Sequence, residues 1–404
     1  MNKFLCVMVW AFMGIIPLKA QKEKTDISLY ERVSRIEKRT NRFNLYLNLQ
    51  GGFNGYFDAG FTDSKFHFRD IRISANGNIN EWLSYAYRQR LNRSNHSGAN
   101  PDNLPNSLDV AGIGLRLGER LNMFVGKHSA AYGGIEYDMY PHEVYEFSDM
   151  GDYITCFMTG LKLAWDIDAA HQFQFQIMNA SDRSHEATYG PVPGIEPAKA
   201  HFVYTLNWNG GFEFSGARIY TRWSVSLLNE AKSHKMYYIA LGNGLKSEKW
   251  DVYFDALYSK EDIDRKGIMS EILSKHYETN GDRLREGNML NAGYLSFIAK
   301  VNYSITDNWK IFTKAMFETA SVAEKWSASK AENVNSFVDI EKGKYRNSYG
   351  YIGGVEYYPM ENSNLHFFLN YIGRSYKYTD KAAMLPDTDK HRICLGFVYT
   401  LPIY

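Results

Sequence analysis

The amino-acid sequence predicts an all-β protein, a closed sixteen-stranded antiparallel barrel that spans a membrane. Three observations support this fold class. Apolar and polar residues alternate from about residue 43 to the end of the chain, which is the period of a β-strand. The connections between the alternating segments are short and long in turn. After residue 20 there is no apolar run long enough for a spanning helix, so in a membrane this chain must form a closed barrel.

The balance of charged residues in the chain excludes one functional class. Its 404 residues include 46 Lys and Arg against 45 Asp and Glu, a formal net charge of +1, which excludes a strongly basic nucleic-acid-binding protein. Aromatic residues make up 15% of the chain, with 30 Tyr, yet the mean hydropathy is −0.41. Many aromatic residues in a polar chain indicate apolar residues at alternate positions rather than in runs.

The first segment, residues 1–20, has the pattern of a secretory signal peptide. A short cationic start at Asn2 and Lys3 precedes the apolar run from Phe4 to Ile16, and cleavage is expected after Ala20. The alternative is a single membrane anchor, but the run is shorter than the roughly 18–20 residues that a spanning helix needs. We therefore expect a chain that is exported across the inner membrane.

Residues 21–42 are predicted to form a short periplasmic N-terminal helix, before a barrel of residues 43–404. Apolar positions step by four and three residues there, at Leu29, Val33, Ile36, Thr40 and Phe43. A short coiled coil is the alternative, although two heptads are few for one.

Sixteen alternating segments follow, and each indicates a strand with one apolar face. They lie at 43–57, 66–76, 81–93, 108–118, 121–130, 154–166, 171–179, 200–209, 212–228, 235–245, 249–260, 291–305, 309–321, 348–358, 364–377 and 390–404. Short connections rich in Gly, Asn, Asp and Ser, suited to tight turns, fall at 77–80, 118–120, 168–171, 209–211, 246–249, 306–308 and 360–364.

The other connections are long. They lie at 94–107, 131–153, 180–199, 261–290, 322–347 and 378–389, with shorter members at 58–65 and 229–234. Short periplasmic turns at one end, long extracellular loops at the other and an even strand number are typical of outer-membrane barrels. The loop 261–290 is predicted to contain a helix, because Ile268, Met269, Ile272 and Leu273 fall on one helical face.

Two stretches carry a resemblance to a known family. "FRDIRISANGNINEWLSYAYRQRL" (68–91) is a basic strand, a tight turn and a second basic strand, and "LDVAGIGLRLGERLNMFVGKHSAAYGGIE" (108–136) is a hairpin that runs into a long loop. With the continued alternation, the chain resembles the phosphate-selective porin O and P family. The resemblance implies a sixteen-stranded trimeric porin in the outer membrane, whose third loop folds inward to narrow the pore.

In this sequence the third loop is "YGGIEYDMYPHEVYEFSDMGDY" (132–153). The resemblance makes it the constriction loop, and its candidate site residues are Glu136, Asp138, His142, Glu143 and Glu146.

The alternation itself assigns side chains to the lumen, because the apolar face of each strand must contact lipid. In "RIYTRWSVSLL" (218–228), Ile219, Trp223, Val225 and Leu227 face outward with Thr221, and the two arginines face inward. The same reasoning gives the basic pore-lining set Arg72, Arg88, Arg90, Arg116, Lys162, Arg218, Arg222, Lys300 and Lys314. The inward acids are Asp70, Asp251, Asp255, Glu318 and Glu356, and Lys127 stays unassigned because both faces of its strand are mixed.

A lumen richer in cations than in acids predicts a preference for anions, as charged rings produce in other pores. The alternative is a large wet pore in which these charges are solvated and weakly selective. We expect passive diffusion of small hydrophilic or anionic solutes through a homotrimer surrounded by outer-membrane lipid, with no cofactor, metal or nucleic-acid partner.

Two other functions are considered. The long loops could bind or adhere to a ligand above a plugged lumen. A lipid hydrolase would need a catalytic triad, and the sequence offers only "SNHSG" (94–98), in which Asn95, His96 and Ser97 stand in an unsuitable order. No G-x-S-x-G, H-E-x-x-H, C-x-x-C or P-loop pattern is present, so we do not expect an enzyme. Cys156 and Cys394, far apart in sequence, are expected to be unpaired.

Overall fold

The computed structural model describes residues 42–96, 100–192, 194–285, 287–331, 335–360 and 363–403. Sixteen antiparallel strands form a closed barrel, in which the first strand pairs with the last. The predicted fold class is therefore confirmed. The predicted signal peptide and, apart from Arg42, the predicted N-terminal helix lie outside the described residues.

The barrel strands follow the chain order. They are β1 (Asn44–Asp58), β2 (Gly60–Asn78), β3 (Leu83–Arg90), β4 (Leu108–Arg116), β5 (Leu121–Ser129), β6 (Phe157–Asp166), β7 (His171–Asn179), β8 (Phe202–Phe214), β9 (Ala217–Ala231), β10 (His234–Lys246), β11 (Trp250–Ile263), β12 (Leu290–Ser304), β13 (Trp309–Val322), β16 (Gly343–Tyr357), β17 (His366–Tyr378) and β18 (Thr388–Pro402). Two short strands outside the barrel, β14 (Trp326–Ser329) and β15 (Phe337–Ile340), pair as a hairpin.

The two faces of each strand differ in burial as the sequence alternation predicts. On β9, Arg222 and Ser224 are buried inside the barrel, whereas Trp223 and Val225 are 39% and 48% exposed on its outer surface. Closure lets every strand bond to two neighbours, so the wall presents apolar side chains outward without unpaired backbone edges.

The wall is uneven in height. Strands β3 to β7 have only 8–10 residues, whereas β8 to β13, β16 to β18 and β1 have 13–15 residues, and β2 has 19. About 9–11 tilted residues span a bilayer, so the low wall just crosses it and the high wall projects beyond it. The low wall also carries three long loops, at 91–107, 130–156 and 180–201.

Two predicted loops are wrong. Residues 58–65 lie almost wholly in strands, because β1 and β2 are joined at Ala59 alone, and β9 and β10 are joined by residues 232–233. Ala59 and Ser233 have positive φ angles of 21° and 65°, the conformation that tight hairpin turns require. Loop 322–347 also contains the β14–β15 hairpin, which alternation over four residues is too short to predict.

The helix predicted in loop 261–290 is present as Ile268–Thr279. Its residues Ile268, Met269, Ile272 and Leu273 are all buried, as the shared helical face predicts. The Asp264 carboxylate accepts a hydrogen bond from the backbone N–H of Ser270 at 2.7 Å. This bond satisfies one of the donors in the first turn that have no partner within the helix. Of the helices in the described residues, none is long and apolar enough to cross a membrane.

The interior of the barrel is occupied by the loop after β5, residues 130–156, here called the inner loop. Its backbone approaches β10 closely at Gly242, where a Cβ atom would lie 2.7 Å from the backbone N of Ile135 and 2.8 Å from the Cα of Gly134. Gly133 and Gly134 have φ angles of 76° and 82°, which other residues rarely adopt. Gly133, Gly134 and Gly242 therefore allow the inner loop to lie in close contact with β10.

We expect Gly242→Val to destabilise the barrel by about 1–3 kcal/mol, because the added atoms overlap the inner loop. Urea unfolding of the refolded protein, followed by tryptophan fluorescence, would measure the difference. Gly353→Val is the matched control, since a Cβ at Gly353 meets no atom of the described residues within 4 Å. Equal stability of the two variants would contradict the close packing.

Candidate functional site in the barrel lumen

The first anchor of the inner loop is its contact with strands β9 to β11. Both oxygens of the Asp255 carboxylate accept backbone N–H groups of the loop, from Ile135 at 2.7 Å and from Glu136 at 2.8 Å. The N–H of Gly134 donates to the carbonyl of Arg222 at 3.0 Å. Asp255, assigned to the lumen from sequence, thus binds the loop backbone and does not face open solvent.

The second anchor is Glu136, which is only 3% exposed. Its carboxylate forms an ion pair with Lys314 of β13 and accepts the hydroxyl of Tyr253 of β11 at 3.1 Å. Its other oxygen accepts the N–H of Ser148 at 3.1 Å. One carboxylate therefore joins two strands of the wall to two parts of the loop.

The third anchor is Asp149, which lies between two arginines of the high wall. Its carboxylate is 2.6 Å from Arg346 of β16 and 3.1 Å from Arg374 of β17. Arg374 also lies 2.7 Å from Glu318 of β13, and Glu318 accepts the N–H of Asp149 at 2.7 Å. The charges alternate in sign along this chain of contacts, so each buried group is compensated.

The inner loop makes a sharp turn at Tyr145, whose φ of 61° is strained for a residue with a side chain. Its ring stacks on Phe312 with centroids 4.9 Å apart, and its hydroxyl donates to Glu356 at 2.7 Å. Arg69 of β2 donates to its carbonyl. Packing and hydrogen bonds on three sides hold the strained turn in place.

Glu146 follows this turn and pairs with Arg392 of β18 at 2.6 Å. Burial alone would raise the pKa of the Glu146 carboxyl, but Arg392, Arg69 and Arg374 together hold that pKa below its usual range. Glu146 therefore stays ionised and keeps the loop attached to β18.

The structure places the nine predicted basic residues in three different environments. Lys300, Lys314 and Arg222 contact the inner loop: Lys300 donates to the Glu143 carbonyl at 2.5 Å, and Arg222 lies 3.3 Å from Asp138. Arg116 and Arg218 lie on the inward face but at the turn end of their strands. There Arg116 donates to the Gly118 carbonyl at 3.3 Å, and Arg218 lies 3.5 Å from Glu213.

The remaining four are Lys162 and the arginines of β2 and β3. Lys162 is buried on β6, beside the ring of Phe124 on the paired strand β5. Three arginines surround Asp109 of β4: Arg90 at 2.8 Å, Arg72 at 3.4 Å and Arg88 at 3.4 Å. We call Arg72, Arg88 and Arg90 the arginine cluster.

The arginine cluster lies beside the open part of the lumen. A cavity of about 420 Å³ separates the inner loop from strands β2 to β6. The charged residues among those that line it are Arg69, Arg72, Arg90, Arg93, Lys127 and Arg183, with Asp70, Asp109, Asp152 and Asp182. Cations thus exceed acids in this opening, whereas on the far side of the inner loop they are paired with its carboxylates.

The arginine cluster is incompletely satisfied. Among the described residues, Nε and Nη2 of Arg88 have no hydrogen-bond partner, although both atoms are buried. The ring of Phe157 lies 5.0 Å from the Arg88 guanidinium and 5.6 Å from that of Arg90, which positions both cations by cation–π contact. Of the three arginines, Arg72 and Arg90 line the opening.

Burial and charge also shift the pKa of one acid in the opening. The pKa of Asp152, on the inner loop, is raised by burial and by the neighbouring negative charge of Glu146. This carboxylate therefore takes up a proton at a higher pH than an ordinary aspartate.

The predicted constriction-loop residues also lie in different environments. Glu136, Asp138 and Glu146 face cations of the wall, so little of their charge reaches the opening. Glu143 accepts the N–H of Tyr140 at 3.0 Å within the loop itself. The side chain of His142 lies outside the described residues.

Several charged residues of the site are missing from the sequence-based assignment. Asp109 and Arg69 sit at β-bulges, where the register shifts and one extra residue turns inward. Arg346 lies beyond the predicted end of its strand, and Arg374 stands on a strand with apolar residues on both faces. Arg392 continues the inward set of β18, and the alternation could have identified it.

Lys127, unassigned from sequence, lies 3.2 Å from Asp102 of loop 91–107. It shares a strand face with the exposed Val125. Neither Cys156 nor Cys394 forms a disulfide. In the part of the chain that the structure describes, no group of three or more His, Cys, Asp or Glu side chains could hold a metal ion.

Comparisons with known proteins agree with this architecture. The outer membrane channel DcaP of Acinetobacter baumannii has a similar structure, with a TM-score of 0.57 and 12% identity over 90% of this chain and 99% of that one. The trimer form of OmpT, an outer membrane protein of Vibrio cholerae, gives a TM-score of 0.51 and 12% identity over 89% of this chain and 99% of that one.

An anion-selective porin from Comamonas acidovorans gives a TM-score of 0.50 and 7% identity over 89% of this chain and 99% of that one. At these identities the likeness shows the fold alone. No curated protein matches the sequence.

The family assignment rests on the sequence itself. A family model described as phosphate-selective porin O and P matches residues 43–401, which is nearly the whole chain and includes every strand of the barrel from β1 to β17. The protein therefore belongs to the phosphate-selective porin O and P family and is an outer-membrane porin.

Proposed function

We propose that this porin lets small hydrophilic solutes diffuse passively across the outer membrane and prefers anions. The observation that carries the proposal is the position of the arginine cluster beside the opening. Cations of the high wall are paired with the inner loop, but Arg72 and Arg90 border the space through which a solute passes.

The preference follows from electrostatics. Unit charges 4 Å apart interact by about 1 kcal/mol in water and more where the walls exclude water. Arg72, Arg88 and Arg90 share the single carboxylate of Asp109 and, for Arg72, that of Asp70 at 2.8 Å. The excess positive charge lowers the energy of a passing anion and raises that of a cation. Small phosphate or carboxylate anions suit the guanidinium fork.

The assembly and export of the protein belong to the same proposal. We expect a homotrimer in outer-membrane lipid, supported by the trimer form of the similar OmpT structure. We also expect residues 1–20 to be a signal peptide that is cleaved on export.

The other two functions have less support. A ligand-binding or adhesive role would use the long loops, yet the inner loop is directed into the lumen. The hydrolase hypothesis requires Asn95 to orient a histidine, but the Asn95 side chain accepts hydrogen bonds from Gln89 at 2.8 Å and Ser107 at 2.7 Å. Ser97 lies outside the described residues. We propose a channel and not an enzyme.

Removing charge from the opening should lower anion preference. For Arg72→Gln/Arg90→Gln we expect the anion-to-cation permeability ratio to fall about fivefold for each charge removed, which corresponds to about 1 kcal/mol per charge. Reversal potentials across a KCl gradient in planar bilayers measure this ratio. Arg116→Gln/Arg218→Gln removes the same charge at the turn end and should change the ratio little. An equal fall in both double variants would contradict the proposal.

Acid pH should increase the anion preference. The raised pKa of Asp152 means that this carboxylate loses its negative charge as pH falls toward that pKa, above the range of an ordinary aspartate. The opening then becomes more positive, so the permeability ratio should rise between pH 7 and pH 4. Asp152→Asn should have a higher ratio at pH 7 and a smaller rise. A rise of the same size in Asp152→Asn would assign the effect to other carboxylates.

Release of the inner loop should widen the pore. Arg374→Met leaves the carboxylates of Asp149 and Glu318 buried and poorly compensated, a change that typically costs about 3–5 kcal/mol. We expect a larger single-channel conductance and faster proteolysis of the loop. Lys377→Met is the control, because Lys377 is 42% exposed and pairs with Asp387 and Asp389 outside the lumen. Unchanged conductance in Arg374→Met would show that this contact does not hold the loop.

A further inference from the structure

A second, smaller cavity lies on the other side of the Tyr145 turn, between the inner loop and strands β1, β2, β17 and β18. Its volume is about 150 Å³, and it is partly open. A cavity of this size admits a bare six-membered ring, and its open side leaves room for substituents on that ring. We call it the side cavity.

Two paired glycines stand at the wall of the side cavity. Gly52 of β1 lines the cavity, and its inward-facing partner Gly396 of β18 is covered by the ring of Phe368, whose Cζ would lie 2.6 Å from an added Cβ. The Phe368 ring therefore takes the place of a side chain at Gly396 and forms part of the cavity wall. The next inward row carries Asn54, Cys394 and Asn370, and Asn54 and Asn370 contribute amides to the rim of the cavity.

Several residues that line this cavity carry buried polar atoms without a partner among the described residues. Among the described residues, the buried atoms without a hydrogen bond include Oε1 of Gln50, both Nδ2 and Oδ1 of Asn370, Nδ1 of His67 and Nε of Arg392. Gln50 and Asn370 are only 3% and 2% exposed. A buried polar atom without a partner costs free energy, so five of them at one cavity indicate a polar occupant.

The unpartnered atoms specify what that occupant must offer. Oε1 of Gln50 and Oδ1 of Asn370 accept hydrogen bonds, whereas Nδ2 of Asn370 and Nε of Arg392 donate them. The Nδ2 of Asn54 lies 3.4 Å from Nε2 of His67 and can only donate, which leaves the proton of the neutral imidazole on Nδ1 as a further donor. The occupant must therefore both donate and accept.

This mixture excludes the simple ions. A carboxylate only accepts, so it would leave the two amide oxygens unpaired, and a monohydrogen phosphate has one O–H for those two oxygens; both anions would also meet the ionised Glu146. A cation would meet Arg69 and Arg392, which both line the cavity. Hydroxyl groups do both, and each can serve a donor and an acceptor at once.

The walls of the side cavity supply the apolar part of the contact. The rings of Tyr145 and Phe368 lie with centroids 4.9 Å apart at an angle of 55°, and both line the cavity with Tyr56. Aromatic faces pack against the C–H face of a sugar ring while its hydroxyls reach the surrounding amides. Polar groups around an aromatic wall suit a small polyhydroxylated molecule.

We propose that the side cavity is a binding site for a neutral hexose-sized sugar, separate from the arginine-lined opening. The sugar lies against Phe368 and Tyr145, and its hydroxyls bond to Gln50, Asn370, His67 and Arg392. The site goes beyond the anion pathway, because its donors and acceptors fit a solute that the arginine cluster does not favour.

Calorimetric titration of the purified full chain with D-glucose tests the proposal without relying on conductance. We expect saturable binding in the wild type and about tenfold weaker binding in Asn370→Leu, which loses one donor and one acceptor. Gln174→Leu is the control, because Gln174 is a buried inward amide of β7 bonded to Gln172 at 2.6 Å, remote from the side cavity. It should bind glucose like the wild type.

Three results would overturn the proposal: no saturable binding in the wild type, equal affinity in Asn370→Leu, or displacement of glucose by inorganic phosphate at equal concentration. Planar-bilayer currents on the same samples separate this proposal from the channel proposal. Protein that binds glucose but does not conduct would refute only the channel. Protein that conducts anions but binds no glucose would refute only the sugar site.

Discussion

The pairing of the inner-loop carboxylates with cations of the high wall is the interaction on which the rest of the lumen depends. Glu136, Glu146 and Asp149 are each held by a Lys or Arg from a strand distant in sequence. Burying such charges is costly unless every one is compensated, so the loop has few positions in which it can rest. Its position decides which wall cations remain available to solutes and which do not.

The lipid surroundings impose the second constraint. In hydrocarbon every backbone N–H and C=O must be bonded within the protein, and a closed ring of strands achieves this while alternate side chains face outward. The barrel then needs a wide interior that side chains of the wall do not fill. The inner loop lies in that interior, and the arginine-lined opening and the side cavity lie beside it.

The sequence predicts the wall well because alternation is a local property. It gives the inward direction of Arg72, Arg88, Arg222 and Lys314, since each strand has one apolar face. The alternation does not predict that Asp109 faces inward, because a β-bulge at this point shifts the register and adds one residue to the inward face.

The path of the inner loop cannot be predicted in the same way. It depends on contacts such as that between Arg374 and Asp149, which are 225 residues apart, and no local pattern reports them. For the same reason the sequence alone treats Lys314 and Arg72 alike, although one binds the loop and the other borders the opening.

The seam between β1 and β18 has a consequence for how the chain folds. Thr400 donates to Asn48 at 2.8 Å across a separation of 352 residues, and Tyr46 pairs with Pro402. The ring is therefore closed only when β18 pairs with β1, and a sheet that lacks β18 has two unpaired edges. Contacts between such distant residues form slowly, because a long loop must close before they contribute any stability. Until β18 pairs with β1, the protein is an open sheet whose two unpaired edges are exposed to aggregation.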